Sequence, residues 1–505
     1  MAGVTTSDGN VTPFAPGDYP VVVVGSGPGG LQTAYWLRRL GIAYAHISAD
    51  DAPGGLFRRF PVYQRLISWT KPYAVEERGT RAYERYDWNS LIAVEPENRS
   101  LVAPFMDGTS YFPARAEMEQ GLLEFASRTG LAVNYGCRWE ATRREDEGLV
   151  LETSHGEYRS PIVIFAIGAT RPWKPAIPGL EDVPHYVEAK PARHYAGRRV
   201  FLIGKRNSGF ELADGLLPWA RQIILASPRP ASLSVTTRSL VGARARYVQP
   251  YEDHVLAGGN VVLDVAIQSV ERGGDGYRVH AVGTTNPGDF VLTVDDVIAA
   301  TGFEVGLGDL PGLGVATFNQ GRLPAQTPFW GSASVPGIYF AGSATQAAAG
   351  LRKYGISSNS AAVHGFRYNA GVLVRHIAER HFGMMFDDPV VPPDGLIDHL
   401  LHAATKAPEL WNQPSYLAHV VELGARPGPV ARGITPLAHF VDANGPDAVA
   451  VTVESDASGD IHPAVYVRSR GTVSEHLLPS APFHDYETED HRSLLRAVLD
   501  PVTRG

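Results

Sequence analysis

The chain has 505 residues, more than one domain normally holds, so its length predicts roughly two to four domains and a large buried core. Hydrophobic residues make up 44% and charged residues 19%, a balance typical of a globular protein and not of a disordered chain. The formal net charge of -8 disfavours nucleic acid or an anionic membrane surface as the main partner. The single cysteine, Cys137, excludes an intramolecular disulfide, a zinc–thiolate site and a redox-active cysteine pair of the thioredoxin reductase type.

Targeting and metal-binding patterns are both missing from the sequence. The first twenty residues contain neither the basic nor the apolar stretch of a secretory leader, and no apolar run in the chain reaches about 18 residues. We therefore expect a cytoplasmic protein without a membrane-spanning helix. The histidines lack the spacing of metal ligands, so we expect no metal site.

The first structured unit is predicted as strand, glycine turn, helix and strand. Four valines follow Pro20, then the turn GSGPGG, then a segment with apolar residues at helical spacing that starts at Leu31 and ends at Gly41. A short apolar strand over residues 42–47 comes next. This order predicts a βαβ unit.

The turn of this unit has the spacing GxGxxG at Gly25, Gly27 and Gly30. The first glycine allows a tight turn, the second lets the backbone approach a pyrophosphate, and the third lets helix and strand pack closely. The helix N-terminus then offers free N–H groups to the phosphates. At the end of the second strand, where an acid usually binds a ribose, the chain has Ser48, so Asp50 is the predicted substitute.

Three further features are predicted before the next unit. Residues 114–128 have helical composition, residues 131–135 are predicted as a strand, and alternation over residues 138–160 indicates an antiparallel meander. The segment closes with the buried strand IVIFAIGA.

The order of strand, turn, helix and strand then recurs, which predicts an internal duplication and a second dinucleotide-binding domain. The strand RRVFLIG is followed by GKRNSG, the helix FELADGLLPWA and the strand QIILAS. The residues of this turn are Gly204, Lys205, Arg206, Asn207, Ser208 and Gly209. Arginine in the middle position either crowds a pyrophosphate or swings out and pairs with it, so a domain that has lost its nucleotide is the alternative.

The end of the second strand in this unit predicts which nicotinamide nucleotide binds. Ser227 and Arg229 stand there, without an acid. A hydroxyl and a guanidinium suit a 2′-phosphate, whereas a carboxylate would suit a free ribose hydroxyl. The sequence therefore predicts NADPH in preference to NADH.

The rest of the chain predicts a return to the first domain and a C-terminal extra region. The strand GIYFAGSAT precedes a segment of helical spacing over residues 351–382, and alternation over residues 448–478 predicts strands. The predicted fold is α/β, with two Rossmann-like dinucleotide-binding domains. The predicted bounds are 1–170 and 296–385 for the two parts of the first domain, 171–295 for the second domain, and 386–505 for a C-terminal α/β extension.

Over residues 20–370 the chain resembles the flavoproteins with two dinucleotide-binding domains, which include flavin-containing, Baeyer–Villiger and N-hydroxylating monooxygenases. The resemblance rests on GSGPGG, FAIGATRPWKPAIPG, AATGF and VPGIYFAGSAT. RLISWTK, YDWNSL, YFPARAEMEQGLLEFA, GKRNSGFELAD and LRKYGISSNSAAVHGFRYN are similar to the FAD-dependent oxidoreductases of the endoplasmic reticulum and their bacterial counterparts. The FxGxxxHxxx(Y/W) signature of the first two classes is present only in fragments, around residues 179–186.

The resemblance implies FAD in the first domain and NADPH in the second. It also implies that Lys71, Trp88 and Asn89 lie in loops over the flavin. There the Asn89 amide would donate to a bound oxygen species or orient the nicotinamide, and Lys71 would do the same or contact a substrate carboxylate.

Two more segments carry residues implied by the resemblance. The third flavin element has Gly342 followed by Ser343, where the family usually has aspartate, and a serine hydroxyl still hydrogen-bonds ribityl or phosphate oxygens. Tyr354 is predicted to line the pocket. Gly355 and Ile356 are predicted at a helix N-terminus that faces the flavin pyrimidine.

The implied function is a single-component monooxygenase, in which a flavin C4a-hydroperoxide oxygenates a small amine, amino acid or aromatic metabolite with molecular oxygen. One alternative is a single-component halogenase of aromatic or indole substrates, in which Lys71 or Lys205 would relay the oxidised halide. Another alternative is a flavin-binding scaffold without catalysis. The expected partners are small molecules, with neither nucleic acid nor membrane, and a homodimer is an open alternative to a monomer.

Overall fold

A computed structural model describes the chain except for residues 1–3, 6–10, 64, 147, 238–241, 349, 351–357, 425–427, 457 and 504–505. The strands, in chain order, are β1 Val4–Thr5, β2 Val11–Thr12, β3 Gly17–Asp18, β4 Val22–Val24, β5 Ala45–Ile47, β6 Trp139–Glu145, β7 Gly148–Thr153, β8 Gly156–Ser160, β9 Val163–Phe165, β10 Arg171–Pro172, β11 Arg199–Ile203, β12 Gln222–Ser227, β13 Val261–Gly273, β14 Gly276–Gly283, β15 Asp289–Val294, β16 Asp296–Ala299, β17 Phe303–Glu304, β18 Thr317–Phe318, β19 Leu323–Pro324, β20 Ile338–Phe340, β21 Leu417–Glu422, β22 Val430–Pro436, β23 Ala448–Ser455, β24 Ile461–Ser469 and β25 Thr472–Leu477. The helices are α1 Pro28–Arg39, α2 Arg115–Arg128, α3 Asn207–Leu216, α4 Ser234–Thr237, α5 Ala245–Leu256, α6 Val363–Phe382, α7 Leu396–Lys406, α8 Pro408–Asn412, α9 Leu437–Asp442 and α10 Glu489–Thr503.

The first sheet is a parallel sheet of four strands in the order β20-β9-β4-β5. Its strands are short apolar runs buried on both faces, as is typical of a parallel sheet covered by helices. Helix α1 follows β4, and α6 packs against α1. Because β9 and β20 join this sheet from distant parts of the chain, the second glycine turn is inserted between them.

The second sheet has the order β15-β14-β13-β12-β11-β16. Strands β13, β12, β11 and β16 are parallel, and β14 and β15 add an antiparallel hairpin at the edge. Helix α3 follows β11 as α1 follows β4. The predicted duplication of strand, turn, helix and strand is therefore present in the structure, whereas the predicted domain boundaries stay predictions.

The meander predicted over residues 138–160 consists of β6, β7 and β8, which pair antiparallel. One other predicted element differs from the structure. Residues 131–135 form no strand; Asn134 alone makes a parallel bridge, to Ile47 at the end of β5. The expected helix start near Gly355 lies outside the described residues; α6 begins at Val363, after a turn in which the Ala362 N–H donates to the Asn359 carbonyl.

The C-terminal region is an antiparallel sheet in the order β22-β21-β23-β24-β25, with α7 and α10 packed on one face. The predicted strands over residues 448–478 are β23, β24 and β25. Gln413, just before this sheet, accepts from the backbone N–H of Asn359 at 2.9 Å and donates to the Oδ1 of Asn369 at 2.9 Å. The C-terminal region thus holds the turn that precedes α6.

None of the helices in the described part of the chain has both the length and the apolar character that crossing a membrane requires.

Candidate functional site

The first glycine turn is a tight contact between backbones. Gly25 has φ +106°, a conformation that favours glycine. A Cβ at Gly30 would lie 1.8 Å from the carbonyl oxygen of Gly25, and a Cβ at Gly29 would lie 2.3 Å from the Cα of Gly342. The turn therefore brings β4, α1 and the end of β20 so close together that a side chain at these positions would clash with the backbone.

Gly27 differs from its neighbours in what surrounds it. A Cβ there would meet no atom nearer than the Cα of Gly55 at 3.9 Å, and the residue lines a cavity at the N-terminus of α1. The protein leaves this space open, whereas it fills the space beside Gly25 and Gly30. An open position against the positive end of a 12-residue helix fits a pyrophosphate.

Four residues with hydroxyl or carboxyl side chains lie around this turn. Ser48 is buried, and its Oγ is 2.8 Å from the Oγ of Ser26. Ser48 also accepts from the backbone N–H of Asp50 at 3.2 Å, and both residues line the cavity. The Ser343 Oγ accepts from the Ala169 N–H at 3.0 Å and lines the same cavity. The structure therefore brings the predicted Ser48, Asp50, Gly342 and Ser343 to one place.

His46 supports the first turn and was not predicted from the sequence. Its Nε2 lies 2.9 Å from the carbonyl oxygen of Gly25, the same atom that excludes a side chain at Gly30. Complete burial lowers the pKa of His46 to about 4, so the ring is neutral at pH 7 and its Nε2–H donates to that carbonyl. Since the spacing of one histidine carries no signal, only the structure shows this contact.

A cavity of 530 Å³ lies between the two glycine turns. Gly27 lines it from the first turn, Asn207 and Ser208 from the second, and Val363 from the start of α6. Aromatic and aliphatic side chains form much of its wall, among them those of Phe60, Leu66, Ile67, Phe303 and Phe366. Both turns therefore face a common space.

The second turn repeats the backbone of the first. Gly204 has φ +129°, and a Cβ at Gly209 would lie 2.0 Å from the Gly204 carbonyl oxygen. The exposed Arg206 occupies the middle position, so its side chain does not fill the cavity. Lys205 is buried instead, and its Nζ forms an ion pair with Asp264 and donates to the Leu263 carbonyl at 2.8 Å. Lys205 therefore joins the turn to β13.

The predicted residues for the 2′-phosphate lie at the open end of β12. Ser227 Oγ donates to the carbonyl of Arg229 at 3.1 Å, and the Arg229 side chain is exposed. Neither residue lines the cavity. Their position at a strand end beyond α3 suits the adenosine end of a nucleotide whose other end enters the cavity.

The predicted catalytic residues are not brought together. Asn89 is fully buried; its Nδ2 donates to Thr70 Oγ1 at 3.0 Å and its Oδ1 accepts from the hydroxyl of Ser68, which lines the cavity. Trp88 stacks on the ring of His364 at 4.2 Å between centroids. Lys71 is exposed and does not line the cavity.

Tyr354, Gly355 and Ile356 lie outside the described residues, so their roles stay predictions. Glu211 is a cavity residue that sequence reasoning missed. It lies one turn into α3, is 2% exposed, and accepts from the backbone N–H of Tyr63 at 2.6 Å. The available signal was the spacing of this glutamate from Ser208 and Asn207, because residues three and four apart lie on the same side of a helix.

Two parallel sheets, each with a glycine turn leading into a helix, and a cavity shared by both turns define a protein with two dinucleotide-binding domains. The chain belongs to the pyridine nucleotide-disulphide oxidoreductase family, whose profile it matches over residues 22–342. Membership in a family of flavoprotein oxidoreductases confirms the predicted fold and the predicted pair of cofactors, FAD and NADPH.

Two relatives are similar in sequence. The mouse protein named FAD-dependent oxidoreductase domain-containing protein 2 is 26% identical over 435 residues, which are 79% of this chain and 64% of the mouse protein. The chain thus spans less than two thirds of that relative. A Gibberella zeae protein named monooxygenase aurF is 26% identical over 256 residues, which are 47% of this chain and 44% of that protein.

A solved structure with a similar fold is an ornithine N-hydroxylase from Kutzneria, whose title names reduced FAD, NADP+ and L-ornithine. Its TM-score is 0.54 at 16% sequence identity, and the match covers 72% of this chain and 100% of the hydroxylase. At this identity the likeness concerns the fold.

Proposed function

We propose that this flavoprotein is an NADPH- and FAD-dependent monooxygenase, which transfers one atom of molecular oxygen to a small amine, amino acid or aromatic metabolite. The observation that carries the proposal is the shared cavity, which Gly27 lines from the first turn and Asn207 from the second. A hydride donor and a hydride acceptor held in these two turns can meet without an intervening carrier. The sequence likeness to a protein named as a monooxygenase supports the choice of oxygen.

The position of the single sulfhydryl also supports oxygen as the electron acceptor. Disulphide reduction, the reaction in the family's name, uses a reactive sulfur beside the cofactors. Cys137 is 1% exposed, donates to Thr153 Oγ1 at 3.3 Å and does not line the cavity. Burial raises the pKa of its thiol, which disfavours the reactive thiolate.

When bound, FAD would accept a hydride from NADPH and supply electrons to oxygen. The residues of the chain would bind, orient and exclude water. Phe60, Phe303 and Phe366 give the cavity an apolar wall, which lowers the amount of water at the reacting atoms. The carboxylate of Glu211 in the same wall would attract a protonated amine, as opposite charges do most strongly in a poorly solvated site.

Asn89 is proposed as a positioning residue that acts through Ser68. Ser68 lines the cavity and its hydroxyl donates to Asn89 Oδ1, while the amide of Asn89 donates to Thr70 Oγ1. This pair of contacts sets the direction in which the Ser68 oxygen can accept a hydrogen bond. A group held in that way keeps its orientation without cost when substrate or oxygen arrives.

The experiment is turnover under labelled oxygen. FAD-loaded protein is incubated with NADPH, ¹⁸O₂ and a panel of amines, amino acids and aromatic metabolites, and products are measured by mass spectrometry. We expect one ¹⁸O atom in a product and hydrogen peroxide when no substrate is present. Rapid NADPH-dependent flavin reduction without any labelled product would contradict the proposal; bromine in a product formed with bromide would instead identify a halogenase, and no reduction at all would favour a scaffold.

The proposed role of Asn89 is tested by the ratio of product to peroxide. Asn89→Ala and Ser68→Ala should both lower this ratio by about tenfold, the effect of one lost hydrogen bond, while NADPH consumption persists. Asn286→Ala, at an exposed asparagine, serves as the control. Equal ratios in all three variants would make the Asn89 contacts purely structural. Lys71→Ala tests the predicted role of Lys71 separately.

A further inference from the structure

A partly buried guanidinium beside the cavity has no carboxylate near it among the described residues. Arg244 directly precedes α5, and its Nε and Nη2 have no hydrogen-bond partner within the described chain. Its Nη1 makes one long contact, 3.4 Å to Ser234 Oγ. The charged or ionisable groups that act on it are Tyr247, Arg246 and Tyr111, and none of these is a carboxylate. A buried cation without a counter-charge is costly, so such a group is normally paired.

A second unsatisfied group is within electrostatic range of this guanidinium. His364, on α6, is 1% exposed, and both of its ring nitrogens lack a partner among the described residues. Arg244 and Arg367 are the charged groups that act on its ring. The two terminal nitrogens of Arg367 are engaged, because they donate to the carbonyls of Ser90 and Glu84 at 2.6 Å and 2.9 Å, whereas its Nε has no partner among the described residues. Arg244 is therefore the arginine with a terminal nitrogen left for a ligand shared with His364.

Both groups adjoin the wall of the cavity. The backbone N–H of Arg244 donates to the Oδ1 of cavity-lining Asn207 at 2.9 Å, and Tyr247, one turn further along α5, lines the cavity. Val363, next to His364, also lines it. Trp88 stacks flat on the imidazole, which fixes the ring plane. Arg244 from the nucleotide half and His364 from the flavin half thus directly adjoin residues that line the cavity, while the two residues themselves are not part of its lining.

We propose that Arg244 and His364 form a subsite for an oxyanion of a ligand bound in the cavity, namely the carboxylate of the substrate. A guanidinium and an imidazole N–H match the two oxygens of a carboxylate, and together they would satisfy the unpaired donors. Within the proposed function, on which this assignment rests, the subsite selects amino acids and aromatic acids over neutral analogues. A phosphate of NADPH offers the same chemistry, because Asn207 belongs to the second turn.

The test is binding to the oxidised, FAD-loaded protein without turnover. Benzoate, its neutral isostere benzamide, NADP+ and NAD+ are titrated, and binding is followed by the flavin absorbance and by Tm. We expect benzoate to bind at least tenfold more tightly than benzamide. Arg244→Met should abolish this difference, and His364→Phe, which keeps the stack on Trp88, should reduce it at least fivefold. Arg221→Met, at an exposed arginine just before β12, should change it less than twofold.

A stability measurement separates a binding role from a structural one. Without ligand, Arg244→Met should have the same Tm as the wild type or a higher one, because the variant removes an unpaired, partly buried charge. If Arg244→Met and His364→Phe weaken NADP+ and leave benzoate unchanged, the oxyanion is a nucleotide phosphate. If neither variant changes benzoate or nucleotide affinity, the subsite does not exist. Since no oxygen is consumed, this result is independent of the ¹⁸O experiment.

Discussion

The two glycine turns share one backbone and differ in the side chains around it. In each turn the last glycine packs on the carbonyl oxygen of the first, Gly30 on Gly25 and Gly209 on Gly204. In each turn the first glycine has a positive φ. These common features come from close packing between strand and helix, which any Rossmann-like unit requires.

The differences lie where ligands approach. His46 and Leu225 stand at equivalent places on the second strand, since His46 pairs with Val23 and Leu225 with Leu202, each two residues before the first glycine of its turn. His46 is bonded to the turn, whereas Leu225 only packs against it. The middle position is glycine in the first turn and an exposed Arg206 in the second. The comparison teaches that the glycine spacing determines the shape of the turn, whereas the side chains around the turn determine which ligand it binds.

The largest effect is expected where the first turn is open. Gly27→Glu should abolish FAD binding, because a carboxylate would occupy the pyrophosphate position at the N-terminus of α1. The measurement is flavin stoichiometry from absorbance after reconstitution. Gly424→Glu, at an exposed glycine with free space, is the control and should retain one FAD per chain. A yellow Gly27→Glu protein with full stoichiometry would refute the assignment of this turn.

A matched pair of variants tests whether the two turns pack in the same way and bind different cofactors. Gly30→Ala places a methyl group 1.8 Å from a carbonyl oxygen, and Gly209→Ala places one 2.0 Å from a carbonyl oxygen. Each variant should therefore lower the free energy of unfolding by about 3 kcal/mol. Gly30→Ala should release FAD, while Gly209→Ala should retain FAD and lose NADP+ affinity. Gly273→Ala, where a Cβ meets nothing, is the reference. Loss of FAD from both variants would contradict the assignment of FAD to the first turn and NADPH to the second.

Sequence predicted the fold because the glycine spacing and the apolar strands are local signals. Gly25, Gly27 and Gly30 stand in a tight turn at the cavity, as the spacing indicated. The expected helix start near Gly355 lies outside the described residues; the helix that the structure describes, α6, begins at Val363, and apolar spacing does not mark a cap. The hydrogen bonds of Asn89 go to Thr70 and Ser68, about twenty residues earlier in the chain. The sequence could therefore suggest that Asn89 lies near the flavin, but it could not show the partners of its amide.

His46→Leu gives the first turn the leucine that the second turn has at the equivalent position, Leu225. The pKa of His46 is about 4, below its ordinary 6.5, so the unfolded chain takes up the proton first as the pH falls. The stabilising contribution of His46 is complete above pH 6.5 and is lost as the pH falls to 4. His46→Leu should cost about 1 kcal/mol at pH 7 through the lost hydrogen bond to Gly25. Relative to the wild type, it should regain about 2 kcal/mol by pH 5.

The measurement for His46 is urea unfolding of wild type and variant from pH 7 to pH 4.5. Only the difference between the two proteins is interpreted, because His376 and His419, whose pKa values burial lowers to about 4, contribute the same slope to both. His254→Gln, at an exposed histidine, should run parallel to the wild type. If the wild type and His46→Leu also run parallel, His46 is not the group that makes the first turn sensitive to acid.

The last pair of variants changes nucleotide affinity alone and concerns two exposed arginines, Arg206 in the second turn and Arg229 just beyond β12. Arg206→Ala should weaken NADPH and NADH alike, about tenfold or 1.5 kcal/mol, because a side chain at the middle position pairs with the pyrophosphate that both nucleotides carry. Arg229→Ala should weaken NADPH by a similar factor and leave NADH unchanged, because it lies at the end of β12 where a 2′-phosphate would bind. Kd values for both nucleotides in both variants distinguish the roles. Tighter NADPH binding by Arg206→Ala would mean that this arginine obstructs the turn, and the second domain would then be the one that has drifted from nucleotide binding.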